Sequence, residues 1–135
     1  MDNRQQLHVV IEKTNTGYSA YVKEFDGLIT VGDSFGEVKL NINEVIQEHI
    51  EYLEEIGETT NALTNAKLNY VVDLEQFFDY FKIINKSAFA EYAGINQSLF
   101  RQYTKGLAPI SGKKMAQISK GLNKLAFDLE GLELA

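Results

Sequence analysis

The sequence predicts an α+β chain, a small β-β-β-α-β module followed by an all-α domain. Three observations predict this. Apolar residues alternate near the N-terminus, they recur at three- and four-residue steps from Phe35 to Ile56, and short helical segments separated by Gly, Asn and Pro follow Leu74. A chain of 135 residues accommodates one ordinary domain or two small ones. The division is expected at residues 1–74 and 75–135.

In Gln6–Lys13, Leu7, Val9 and Ile11 alternate with His8, Val10 and Glu12. In Gly17–Glu24, Tyr18, Ala20 and Val22 alternate with Ser19, Tyr21 and Lys23. Such alternation sends successive side chains to opposite faces of a strand, and the short Thr-Asn-Thr-Gly link between the runs reads as a β-hairpin loop. Phe25-Asp26-Gly27 is a turn signal, and Leu28–Val31 reads as a short third strand.

Ser34 and Glu37 stand at capping-box spacing, where hydroxyl and carboxylate satisfy amide groups at a helix start. That helix is expected to run to about Ile56. Phe35, Val38, Ile42, Val45, Ile46, His49, Ile50, Leu53 and Ile56 form its core-facing stripe, and Gly57 is its stop. Seven glutamates from Glu37 to Glu58 make much of its remaining surface acidic. Residues 58–67 read as a polar loop and Leu68–Leu74 as a fourth strand, with the helix covering one face of the sheet.

The hairpin, the turn at Phe25-Asp26-Gly27, the entry Gly32-Asp33-Ser34 with Glu37, and the long amphipathic helix together resemble the HicB family of bacterial antitoxins over roughly residues 7–74. The family's usual prolines are absent, and Val38 stands where alanine is common. The resemblance implies a partial ribonuclease-H-like fold that binds a small basic toxin acting as an mRNA endonuclease. Tyr18, Tyr21, Phe25 and Asp26, aromatic or acidic groups near the hairpin and turn, are the toxin-binding candidates. Simple packing or exposure to solvent is the alternative for the same four.

A ribonuclease-H centre needs several carboxylates converging on divalent cations. The strand carboxylates Glu12, Glu24 and Asp73 fall at scattered strand ends, and the helical glutamates read as a solvated face. His8 and His49, the two histidines, are expected to pack or hydrogen-bond. The absence of cysteine excludes disulfides, thiol nucleophiles and thiolate metal sites, and no Gly-rich phosphate loop or nucleophile–base motif occurs. The chain is therefore expected to be no enzyme and to use no cofactor or metal. No apolar run approaches membrane-spanning length and the first residues lack a signal-peptide layout, so a cytoplasmic location is expected.

Leu74, Phe77, Phe78, Phe81 and Ile84 predict a first helix of the second domain over Leu74–Ile84. Asn85 and Ser87 are alternative N-caps for a second helix over about Lys86–Ala93, which Gly94 breaks. A third begins near Asn96 and ends at Gly106. Pro109 and Ser111 precede a fourth, whose apolar residues include Met115, Ile118, Leu122, Leu125 and Phe127 or Leu129. Ala90 leaves room where two helices meet, and Gly94 supplies a left-handed turn that costs other residues about 1–2 kcal/mol. With Phe89, Ala93, Ile95, Phe100 and Tyr103 as its core, the stretch Leu74–Phe127 resembles the helix-turn-helix of the Cro and phage-repressor type. The alternative is an all-α bundle with no DNA role.

Charge and side-chain chemistry favour DNA. The net charge is −6, but residues 1–85 carry six Lys and Arg against fifteen Asp and Glu, a balance of −9. Residues 86–125 carry seven against Glu91 alone, a balance of +6. With the core inward, Asn96, Gln97, Ser98, Arg101 and Gln102 face outward and Lys105 follows. Amides pair with adenine, arginine with guanine, and serine with either. Lys113 and Lys114, opening the fourth helix, suit phosphates.

One short recognition helix reads few bases, so a homodimer or larger homo-oligomer on double-stranded operator DNA is expected. The combined expectation is an antitoxin that neutralises a small mRNA-cleaving toxin and represses its own operon. The alternative is a stand-alone helix-turn-helix regulator whose N-terminal domain binds another protein or a small ligand.

Overall fold

The computed structural model describes residues 3–135. The chain is mixed α+β, with a four-stranded sheet and five helices among the described residues. It separates into two compact units after Asp73, one residue before the expected division. Leu74 belongs to the second unit because it opens a helix and packs against that unit's aromatic cluster.

The first unit contains β1 (Gln6–Lys13), β2 (Tyr18–Val22), β3 (Ile29–Gly32), α1 (Phe35–Glu55) and β4 (Lys67–Val72). The sheet order is β3-β2-β1-β4. The strands β1, β2 and β3 pair antiparallel, and β4 runs parallel to β1. Leu7, Val9 and Ile11 of β1 and Ala20 and Val22 of β2 are buried, as are Phe35, Val38, Ile42, Ile46 and Ile50 along α1, which packs across the β2 and β3 side of the sheet. Ser34 caps α1, its Oγ accepting from the Glu37 amide at 3.1 Å.

Several boundaries differ from the sequence expectation: β2 is confined to Tyr18–Val22, β3 runs on to Gly32 and β4 stops at Val72, and three further ends have a visible cause. Leu28 is buried in the turn rather than in a strand, its carbonyl accepting from the Val22 amide at 2.9 Å, and β3 starts at Ile29. Lys67 belongs to β4, because its amide donates to the Gln5 carbonyl at 2.8 Å and its register partner is Gln6. Ile56 leaves helical geometry at the C-cap of α1 and is 52% exposed, so the apolar stripe ends before it. The last turn closes through Gly57 and Glu58, whose amides donate to Glu54 and Leu53.

The second unit contains α2 (Leu74–Tyr80), α3 (Lys86–Ala93), α4 (Gln97–Thr104) and α5 (Gly112–Leu129). The first of these is shorter than expected. Past Tyr80 the chain closes a turn in which the Ile84 amide donates to the Phe81 carbonyl at 3.0 Å. The rings of Phe78, Phe89 and Phe100 lie 5.2 to 5.7 Å apart, tilted or edge-to-face, and Ala90, Ile95, Tyr103 and Ile118 complete the buried cluster.

The apolar residues of α5 do not all join this core. Ile118 is buried and Leu122 and Leu125 are half-buried, but Phe127 is 76% and Leu129 60% exposed. Length explains it: 18 residues extend about 27 Å, whereas the eight-residue α3 extends about 12 Å, so α5 outruns its partner. Where α3 ends, the Tyr92 hydroxyl donates to Asp128 and the Lys124 ammonium sits 4.2 Å from the Tyr92 ring centroid. The Asp128 hydrogen bond pushes the Tyr92 phenol up to about 12.

Candidate nucleic-acid interface

The pair α3 and α4 is built from local capping. Asn85, rather than Ser87, caps α3, its Oδ1 accepting from the Ala88 amide at 2.9 Å. Gly94 ends the helix at φ 74°, ψ 31°, the left-handed region that favours glycine. The next amide, on Ile95, donates back to the Ala90 carbonyl at 2.8 Å. Asn96 then caps α4, accepting from the Leu99 amide at 3.0 Å. One left-handed residue and one N-cap therefore join the helices through three non-helical positions, Gly94 to Asn96.

The sides of α4 divide cleanly. Phe100, Tyr103 and Thr104 are buried, and Leu99 is half-buried against the same cluster. Gln97, Ser98, Arg101, Gln102 and Lys105 are exposed. Asn96 is exposed too, but its carbonyl oxygen is committed to the cap, which leaves the amide nitrogen to donate. Arg101 turns toward α3, donating from Nη2 to Ser87 Oγ at 3.0 Å. Ser87 thus acts as a partner for Arg101 rather than as a cap.

The lysines opening α5 differ from each other. Ser111 caps that helix by accepting from the Lys114 amide at 3.1 Å. Lys113 is exposed, whereas Lys114 is half-buried with its Nζ 3.5 Å from Gln117 Oε1. Lys113 is accordingly the better placed of the two to meet an external phosphate.

Two residues that sequence reasoning missed hold this arrangement together. Gln117 Nε2 donates to the carbonyl oxygens of Ala93 and Gly94, both at 3.0 Å, tying α5 to the turn. Gly121 is buried where α5 crosses α3; a Cβ there would lie 2.9 Å from Ala93 Cβ and 3.2 Å from Phe89 Cζ. A glycine within an otherwise helical run is the signal in the sequence for the second.

The four toxin-binding candidates of the first unit are not brought together. Tyr18 packs edge-to-face on Phe35, with ring centroids 5.0 Å apart, on the side of the sheet that α1 covers. Tyr21 points from the opposite face, as the pairing of its buried neighbours Ala20 and Val22 requires. Phe25 is half-buried and Asp26 exposed in the turn.

Glu24 has a local structural role: its Oε1 accepts from the His8 amide at 2.8 Å and its Oε2 lies 2.7 Å from His8 Nδ1. Desolvation opposes its charge, but the bonds from the His8 backbone and ring outweigh it and hold the carboxyl below the ordinary range. Among the described residues no group of three or more His, Asp or Glu could hold a metal ion, and no helix is long and apolar enough to cross a membrane. Compared with protein-family models, curated proteins and solved structures, the chain matches none.

Proposed function

We propose that the second unit is a helix-turn-helix DNA reader and that the whole chain is a HicB-like antitoxin and repressor of its own operon. The observation that carries this reading is the junction of α3 and α4. A left-handed glycine and an asparagine cap present a helix whose exposed side is Gln97, Ser98, Arg101, Gln102 and Lys105, with no acidic residue among them. An ordinary solvated helix mixes both signs of charge, whereas amides and cations in this pattern suit base edges and phosphates.

In this reading Gln97, Ser98, Arg101 and Gln102 contact bases, the Asn96 amide and Lys105 flank them, and Lys113 and Lys114 meet phosphates. The protein acts in the cytoplasm, catalyses no reaction and binds operator DNA as a dimer or larger homo-oligomer. The first unit, a partial ribonuclease-H-like fold, neutralises a small basic mRNA-cleaving toxin, and its acidic balance complements such a partner. Co-expression with the adjacent open reading frame followed by pull-down tests this half: a small basic protein should co-purify and be inactive as a nuclease in the complex. Failure of that product to bind would leave a stand-alone DNA-binding regulator.

A further inference from the structure

The sheet of the first unit carries an apolar row on the face opposite α1. Register pairing sets Val71 of β4, Val10 of β1, Tyr21 of β2 and Ile29 of β3 side by side across all four strands. Val71 is 45% and Ile29 58% exposed, and Val31, one step along β3, is 66% exposed. Contiguous exposed apolar surface of this kind marks a contact with another macromolecule more often than bare solvent.

The charges flanking the row identify the occupant. Along β1 the outward positions are Gln6, His8, Val10 and Glu12. Past the row at one end stands exposed Glu12, with Asp73 just beyond the adjoining end of β4. At the other end stand exposed Lys67, the register partner of Gln6, and exposed Lys23, whose amide donates to the His8 carbonyl at 2.8 Å. Glu24 lies at this basic end as well, engaged by the His8 amide and ring. The face is therefore acidic, apolar and basic in succession along the strand direction.

We propose that this face is an interface with a second copy of the same chain. A two-fold axis along the apolar row lays Val10, Tyr21 and Ile29 of one copy on the row of the other and reverses the strand direction. Glu12 of each copy then meets the Lys23 and Lys67 end of its partner. An axis along the strands would set acidic end against acidic end, so the charges select one of the two face-to-face arrangements. The interface requires neither DNA nor a toxin, and it gives Tyr21 a role distinct from toxin binding.

The test is sedimentation equilibrium of the full chain over a concentration series, without DNA or any other protein. The parent should self-associate. Ile29→Lys should weaken association roughly ten- to hundredfold, the loss expected for one buried aliphatic side chain. Glu12→Lys and Lys23→Glu should each weaken it as well, and the double variant should recover it. A folding defect cannot produce that recovery, because Glu12 and Lys23 flank the apolar row from opposite ends within one chain. Absence of self-association in the parent, association equal in all variants, or a double variant weaker than both single ones would overturn the proposal. So would an adjacent-gene product that binds this face while the chain alone stays monomeric.

Discussion

Gln117 in α5 donates its side-chain amide to the carbonyl oxygen of Gly94, 23 residues away, at 3.0 Å. The same nitrogen reaches the Ala93 carbonyl, so one side chain satisfies two acceptors at the turn between α3 and α4. Gln117→Ala should therefore destabilise the second unit by about 1 kcal/mol, or up to about 3 kcal/mol if both carbonyls lose their partner without gaining water. The denaturant midpoint reads this directly. An unchanged midpoint would show that the tie contributes nothing.

Gly121 tests the packing of α3 on α5 by shape alone. Gly121→Val forces a branched side chain to a position where even a Cβ comes within 2.9 Å of Ala93, and should cost about 1–3 kcal/mol or more. Gly112→Ala is the control: nothing lies within 4 Å of its added Cβ, so stability should hold or rise slightly. Equal effects from the two substitutions would contradict the close approach.

Local chemistry made some of this legible in the sequence. Ser34, Gly94 and Ser111 announce helix ends because capping acts within three or four residues, and the α3 boundaries at Lys86 and Ala93 follow from such signals. The alternation in β2 sends Tyr18 and Tyr21 to opposite faces of the sheet, a separation that is legible in the sequence.

What stayed hidden was non-local. The tie from Gln117 leaves no periodic trace, and nothing local specifies that β4 runs parallel to β1. The apolar stripe of α5 continues to Leu129, but Phe127 and Leu129 are exposed, so periodicity alone overstates the core. Asn96 is a local exception: its side-chain oxygen caps α4 by accepting from the Leu99 amide, which leaves only the amide nitrogen to meet a base.

The pair of Glu24 and His8 predicts a pH dependence. The folded carboxyl titrates below its ordinary 4.5, so the stability it contributes is present above that value and disappears as pH falls through the folded pKa. Glu24→Gln should therefore lower the melting temperature at neutral pH, and the gap from the parent should shrink below about pH 4.5. A gap that widened on acidification would reverse the sign and refute the assignment.

Arg101 and Ser87 make a prediction about base reading. Their 3.0 Å bond orients the guanidinium before DNA arrives, leaving its other nitrogens to donate. Arg101→Ala should cost about 1–3 kcal/mol on the operator and relax preference at one position per half-site. Ser87→Ala should cost less and leave preference intact, since it removes an orienting partner and no base contact. Operator-variant binding arrays separate these outcomes, and an Arg101→Ala protein with unaltered preference would remove Arg101 from the readers.

Whether α4 reads duplex DNA is decided by titrating the full chain into the duplex upstream of its own gene and into a random duplex of equal length, across a salt series. Binding to the upstream duplex should be about 10³-fold or more tighter than to the random one. Lys113→Ala should weaken both duplexes about equally and reduce the salt slope by roughly one per lost contact. Gly94→Val, which forces a β-branched residue to φ 74°, should abolish the preference altogether. Equal affinity of the parent for both duplexes, or Gly94→Val binding its upstream duplex as the parent does, would contradict base reading by α4.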